Sequence, residues 1–436
     1  MNCANAKNER VLIFDDNIRQ HANVEGKITV AKRLVFHVGG YDPITPHASA
    51  RRRFVRELAR FERTWSVKAS TGAVQENPDQ AKWSVITRGP NWCVESDYRL
   101  IRWDDVIENF SSQTIWRRIP RGVNAFVDFI WAGALSGYLR TNWHYAIFFL
   151  YPLVMFGLFI AAACLAGTYA FHKSDSVLLA AAASLFVFAA LMLGPWRWLR
   201  LDTLFDDWIF ARDYIRAGNS NFEQRLDNIA RAIVVAAQNS SVDEILVIGH
   251  SLGAVLAVDL LDRALNLNRA LGTTRTPITF LSLGSSILKI GLHGAASRFR
   301  AAVLRVGQAP GILWADCQAR IDIMNFYNID PMAEMSLPSK YGPIIRLVEF
   351  GRMLEHDVYR RIRLKFYRLH CQFISGNDKR ASYDYYMLVC GPVSARYQML
   401  APDGALSIVG EDGSLKDIPA DSASLSSERK PQPHTL

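Results

Sequence analysis

Ser251 stands at the centre of Gly249-His250-Ser251-Leu252-Gly253, a G-x-S-x-G segment. The residues around it matter more than the five letters. Ile245–Ile248 form a short apolar run of strand type, and Ala254–Leu261 form an Ala/Leu-rich run of helix type. A strand that reverses sharply into a helix holds the middle serine on a strained turn with its hydroxyl exposed. Gly249 and Gly253 leave room for strand and helix to approach each other closely. The backbone N–H of Leu252 lies near the helix N-terminus, where it can stabilise an oxyanion. The chemistry this suits is nucleophilic attack on an acyl carbon. His250 faces away in such a turn and reads as a packing residue rather than a base.

A serine nucleophile needs a base, an acid that orients the base, and an oxyanion hole. In this respect the chain resembles the α/β-hydrolase superfamily, especially its lipase-like serine esterases. The resemblance rests on the Gly249–Gly253 turn, on His37-Val38-Gly39-Gly40 after an early strand, and on Asn328-Ile329-Asp330-Pro331 after a late one. It covers roughly residues 31–400 in order of elements. The superfamily order of Ser, then Asp or Glu, then His implies Asp330 as the acid, just past an expected strand at 321–327. Asp322 falls inside that strand and is expected to be worse placed. Of the histidines that follow, His434 lies in the tail and His356 in a helical stretch. His370 ends the alternating stretch Leu364–Leu369, read as a strand, and is the favoured base, with His356 as the alternative. Gly39 and Gly40 resemble the HGGG-type oxyanion loop, with Val38 as a departure, and join Leu252 as expected donors.

Two apolar runs lie inside the chain. Tyr145–Gly167 carries no charge over 23 positions. At ~1.5 Å rise per residue it spans a bilayer core of ~30 Å. Val177–Gly194 adds 18 more uncharged residues and can extend through Trp196. His172, Lys173 and Asp175 lie in the turn between them, and Trp143, Tyr145, Trp196 and Trp198 flank the pair. The expectation is a transmembrane helical hairpin over 144–196, against the alternative of two buried core helices. Arg117, Arg118, Arg121 and Arg140 precede it, and Arg197, Arg200, Arg212 and Arg216 follow it. By the positive-inside rule both ends, and the serine domain, face the cytoplasm.

The remaining elements are those that would position the serine. A buried strand at 33–38, a helix at 48–67 and a strand near 97–103 come first. An amphipathic, aromatic stretch at 110–143 is either a membrane-interface segment or an ordinary packed helix. A helix at 221–238, the strand at 244–248, a strand at 278–283 and a helix near 295–306 follow, with a helix around Tyr383–Leu388. Strands and helices alternating on both sides of the hairpin give an α/β fold: a mostly parallel, α/β-hydrolase-like sheet flanked by helices and interrupted by the hairpin. The expected organisation is an extension at 1–30, a domain split into 31–143 and 197–400 around the hairpin at 144–196, and a disordered tail at 401–436.

The formal charge of +9 is spread along 436 residues without the interleaved aromatics of a nucleic-acid groove. It suits an anionic membrane surface or a generally solvated basic face. Six scattered cysteines (Cys3, Cys93, Cys164, Cys317, Cys371, Cys390) contain no C-x-x-C pair and fit a reducing compartment. The N-terminus has no apolar run of signal-peptide type. No phosphate-binding loop and no metal-ligand cluster occurs, so no cofactor, metal or nucleic acid is expected. The expected partners are the lipid bilayer and an acyl-ester substrate. The leading expectation is a membrane-anchored serine hydrolase of lipid-like esters. The alternatives are an acyltransferase or thioesterase with the same triad, and a non-catalytic membrane scaffold.

Overall fold

The computed structural model describes residues 27–41, 47–216, 220–239, 241–273 and 276–416. The expected extension as far as residue 26, Cys3, His434 and the tail from residue 417 lie outside the described residues.

Nine strands form one sheet: β1 (Lys32–Val38), β2 (Lys68–Thr71), β3 (Gln75–Glu76), β4 (Gln80–Arg88), β5 (Cys93–Ile101), β6 (Glu244–His250), β7 (Ile278–Leu283), β8 (Ile312–Gln318) and β9 (Ile344–Leu347). Their order is β2-β4-β5-β1-β6-β7-β8-β9, with β3 beside β4. From β5 through β9 every pairing is parallel. β2, β3 and β4 pair antiparallel at the other edge. The central strands are apolar on both faces, as a sheet covered by helices on each side requires. In β1, Leu34, Phe36 and Val38 enter one core while Val35 enters the other. β6 divides in the same way, with Ile245 and Val247 on one face and Leu246 and Ile248 on the other.

Helices Ile115–Trp131, Leu201–Arg216, Ser220–Gln238, Gly253–Leu267 and Ser297–Gly307 cover the first face. Helices His47–Trp65 and Tyr385–Cys390 cover the second. The chain leaves β1 toward β5 on one side and leaves β6 toward β7 on the other. Such a switch point opens a crevice at the carboxyl ends of the two strands. Val38 pairs with Gly249, so Gly39 and Gly40 run out beside His250 and Ser251.

The two apolar helices sit between β5 and β6. They span Trp143–Ser174 and Val177–Leu193 and lie against each other. A Cβ on Gly167 would meet Ser184 Oγ at 2.1 Å and Ala180 O at 3.1 Å, so this glycine sets their close approach. The first helix begins inside the core: Tyr145, Ala146, Phe148 and Phe149 are buried among Phe126, Tyr138 and Trp208. Farther along, the apolar surface is bare, with Leu165, Leu178 and Phe186 each at least two-thirds exposed. The first helix, and the second taken on through Trp198, are long and apolar enough to cross a membrane. The two segments that flank them are tied together by the buried Arg118–Asp206 pair at 2.8 Å.

Several elements differ from the sequence expectation. Residues 321–327 are turns, not a strand, because side chains outcompete the ladder for the backbone. Asp322 Oδ1 accepts from the Met324 N–H at 3.0 Å, and Asn325 donates to the carbonyls of Ala319 and Asp322. The strand that precedes these turns is β8. Residues 364–369 also form no strand; Phe366–His370 is a short helix. The stretch 110–143 is divided among the helices Asp104–Ser111, Ile115–Trp131 and Ala134–Thr141. Residues 401–416 are ordered against the domain rather than part of a disordered tail. Ala405, Ile408 and Val409 are buried, and Arg380 donates to the carbonyls of Val409 and Gly410.

Candidate functional site

Ser251 follows directly on β6 with φ +55°, the left-handed region that a non-glycine residue enters only under constraint. Backbone bonds to the neighbouring strand end and loop hold it there. Its N–H donates to Leu283 O at 3.0 Å, and its carbonyl accepts from Ser286 N at 3.1 Å. The loop after β7 thus clamps the turn from one side. The flanking glycines are needed for space. A Cβ on Gly249 would lie 2.3 Å from Ala254 Cα, and one on Gly253 2.2 Å from Val38 O. The helix Gly253–Leu267 therefore starts in contact with the end of β1, with the Leu252 N–H at its head.

His370, at the end of the helix Phe366–His370, reaches the same crevice. Its Nδ1 lies 2.7 Å from Asp322 Oδ2, and both side chains are buried. A carboxylate only accepts here, so Nδ1 carries the proton and Nε2 is left as the proton acceptor. Nε2 is buried with no hydrogen-bond partner among the described residues. Gly284, at φ +51°, makes room for the imidazole: a Cβ there would lie 2.9 Å from His370 Cε1. Ser251, His370, Gly39, Gly40 and Tyr41 line one solvent-open cleft with about 720 Å³ of atom-free space. The unliganded hydroxyl is not yet hydrogen-bonded to Nε2. Such bonds often tighten only in the substrate complex.

The carboxylate beside His370 therefore differs from the residue expected. The partner of His370 Nδ1 is Asp322 and not Asp330, whose carboxylate caps the short helix Pro331–Glu334, accepting from Met332 N at 2.8 Å and Ala333 N at 3.2 Å. Asp322 takes the place beside His370 because 321–327 folds as turns past the end of β8, where a loop residue can reach across the strand ends. A sequence signal for this existed. The apolar run Ile312–Ala315 is the better strand start, and placing the strand there puts Asp322 in the following loop. His356 starts the exposed helix His356–Ile362, away from the cleft.

His250 is buried, as a packing residue would be, but it does not face away: it lines the cleft with Ser251 and His370, a role sequence reasoning missed. Its Nε2–H donates to the His370 carbonyl at 3.2 Å, and the two rings stand 4.7 Å apart. Burial, and next the neighbouring His370, hold the His250 pKa well below the usual histidine range. It stays neutral and braces the His370 backbone. Gly39 and Gly40 both line the cleft. A Cβ on Gly40 would lie 2.9 Å from Ser251 Cβ, so this glycine lets the loop pass against the serine. The Gly39 carbonyl is held by Trp103 Nε1–H at 3.1 Å. His37 is not part of this loop's chemistry. Its Nδ1 meets the hydroxyls of Tyr98 and Tyr385 in the opposite core, and burial lowers its pKa to about 3.

A second pocket continues from Ser251 toward the apolar helices. Tyr145 and Phe148 from the first of them line it, with Leu204 and Phe366, and so do Arg200, Asp207 and Lys289. Lys289 is buried, bonded to Asp207 and set 3.9 Å from the Trp208 ring centre. Neither this basic lining nor its continuity with the apolar helices was visible in the sequence. No protein-family model, no curated protein and no solved structure matches the chain.

Proposed function

We propose that this protein is a membrane-anchored serine hydrolase of α/β-hydrolase type that cleaves carboxylic esters of lipids through an acyl-enzyme on Ser251. The observation that carries the reading is the Asp322–His370 hydrogen bond of 2.7 Å, in the cleft where Ser251 is held at φ +55°. Ser251, Asp322 and His370 follow three parallel strands in the chain order of that superfamily.

The chemistry follows from the protonation pattern. His370 Nε2 takes the Ser251 proton as Oγ bonds to the ester carbon, and the Asp322 carboxylate stabilises the imidazolium that results. The carbonyl oxygen becomes an oxyanion, stabilised by the Leu252 N–H at the helix N-terminus and by a backbone N–H of the Gly39–Gly40 loop. His370 then gives its proton to the departing alcohol. A water molecule, deprotonated by the same nitrogen, releases the acid and restores the hydroxyl.

Two helices long and apolar enough to cross a bilayer support the membrane placement. So do Trp116, Trp131, Trp143 and Trp198, which are between 56% and 87% exposed. Indole rings left this bare suit the headgroup region rather than water. The arginine bias supports a catalytic domain on the cytoplasmic side. Membranes carrying wild type or Ser251→Ala are assayed with a short-chain nitrophenyl ester and a long-chain acylglycerol. Acid release by the wild type alone supports the reading. Transfer of the acyl group to an added alcohol without acid release would assign an acyltransferase instead. Equal rates in both samples would remove the nucleophile.

A further inference from the structure

We infer that Arg200 binds the phosphate of a phospholipid headgroup while the lipid's acyl ester lies at Ser251. The substrate class is then a phospholipid rather than a neutral acylglycerol. This rests on the hydrolase reading of Ser251 and adds what that site selects.

The pocket that joins Ser251 to the base of the apolar helices holds three charged side chains: Arg200, Lys289 and Asp207. Lys289 and Asp207 neutralise each other in a direct ion pair. One positive charge remains, on Arg200, whose Nη1 is buried without a hydrogen-bond partner among the described residues. A buried donor on a cation is costly to leave unmade, and an anion in the pocket would complete it. The guanidinium is held for that task. It lies over the Tyr367 ring, 4.1 Å from its centre, so stacking fixes its plane and leaves its edge donors to meet an oxyanion side-on.

The backbone points the same way. Arg200 has φ +55°, a conformation glycine or asparagine takes more readily, yet an arginine stands there. It sits between the helix Pro195–Trp198 at the exit of the second apolar helix and the helix Leu201–Arg216 that returns to the core. That is the level at which a bilayer around the apolar helices would present its headgroups. The apolar lining from Tyr145, Phe148 and Phe366 offers acyl chains a route from the same direction. Phosphate at Arg200 and acyl ester at Ser251 would then belong to one molecule entering from the membrane.

The test reads binding apart from turnover. Full-length Ser251→Ala in detergent micelles is titrated with an ether-linked phosphatidylglycerol and with the matching ether-linked diacylglycerol. The same is done with Arg200→Gln and Arg200→Lys added. Arg200→Gln is expected to weaken the phospholipid on the order of 10- to 100-fold, as loss of a charge-assisted bidentate contact does. It should leave the diacylglycerol within about threefold, and Arg200→Lys should recover part of the loss. No change for the phospholipid, or an equal loss for both lipids, overturns the assignment. Competition by inorganic phosphate as strong as that of the lipid would assign a free-phosphate site and also overturn it. In the Ser251 background of the wild type, Arg200→Gln should raise KM for the phospholipid ester while kcat stays close. An absence of hydrolysis there would count against the hydrolase reading alone, because the binding comparison stands without it.

Discussion

Replacing Asp322 by Asn should nearly abolish ester hydrolysis, and replacing Asp330 by Asn should not. Asp322 is fully buried and does two things. Its Oδ2 accepts from His370 Nδ1 at 2.7 Å, and its Oδ1 accepts from Met324 N at 3.0 Å. An asparagine that keeps its carbonyl on Met324 N turns its NH2 group toward Nδ1. The imidazole then shifts its proton to Nε2 and can no longer accept one from Ser251. Loss of the orienting carboxylate in such a triad lowers kcat by about 10⁴, roughly 5.5 kcal/mol of transition-state stabilisation. Asp330 caps the helix Pro331–Glu334, and asparagine caps as well as aspartate does. Asp330→Asn should therefore stay within about threefold in kcat, and Asp330→Ala should cost about 1 kcal/mol in stability. The assay is kcat/KM on a short-chain ester together with denaturant midpoints for all three variants. An inactive, folded Asp330→Asn beside an active Asp322→Asn would refute the assignment.

Other consequences are equally specific. His37 is held at a pKa of about 3 when folded. Its unfolded value is near 6.5, so the unfolded chain takes up the proton first. Stability from this group is complete above pH ~6.5 and is lost as pH falls toward 3, amounting to about 3 kcal/mol by pH ~4.5. His37→Gln should lose that acid-side slope in urea unfolding, and an unchanged slope would contradict the burial argument. The buried Arg33–Glu244 pair, 2.6 Å apart, also binds the carbonyls of Gly391 and Val393 and the Ala395 N–H. Arg33→Ala strands Glu244 and should cost about 3–5 kcal/mol; a midpoint close to wild type would show the pair to be dispensable. Gly253→Ala forces the nucleophile helix off β1, because its Cβ would lie 2.2 Å from Val38 O. Activity and stability should fall together, and a wild-type rate would mean the contact relaxes freely. Excising the whole of 144–196 should unfold the protein, because Tyr145, Phe148 and Phe149 belong to its core. Excising 163–187 with a flexible bridge should leave a folded protein that high salt releases from membranes; retention there would contradict two-span anchoring.

The nucleophile turn was legible because everything that makes it is contiguous: strand, glycines, serine and helix follow within about twenty residues. The paired apolar runs were legible for the same reason. His370 stands out because few histidines follow Ser251, and it does lie in the cleft with Ser251, on a helix where the sequence reads as a strand. Leu364–Leu369 alternates like a strand, yet it is a helix whose residues Leu369 and His370 turn inward at the cleft. Asp322 was lost to a similar ambiguity. Ile321 and Ile323 imitate a two-residue period, and the turn is decided by the Asn325 side chain, which propensity weighs lightly. β4 alternates buried Ala81, Trp83 and Val85 with polar residues at the sheet's antiparallel end, a weak pattern that passed unread. Residues 401–416 carry the composition of a loose tail. Three buried apolar residues and a bond from Asn91 to Leu415 are enough to dock them.

The most direct test is covalent. Purified full-length protein in detergent is treated with a fluorophosphonate, digested and mapped by mass spectrometry. A single adduct on the peptide holding Ser251 is expected. The adduct should be lost in Ser251→Ala and in His370→Ala, slowed on the order of 10³-fold or more in Asp322→Asn, and formed at the wild-type rate in His356→Ala. A folded wild type that takes up no label, or one labelled equally well without His370, would contradict the claim that Ser251, His370 and Asp322 form one nucleophilic centre.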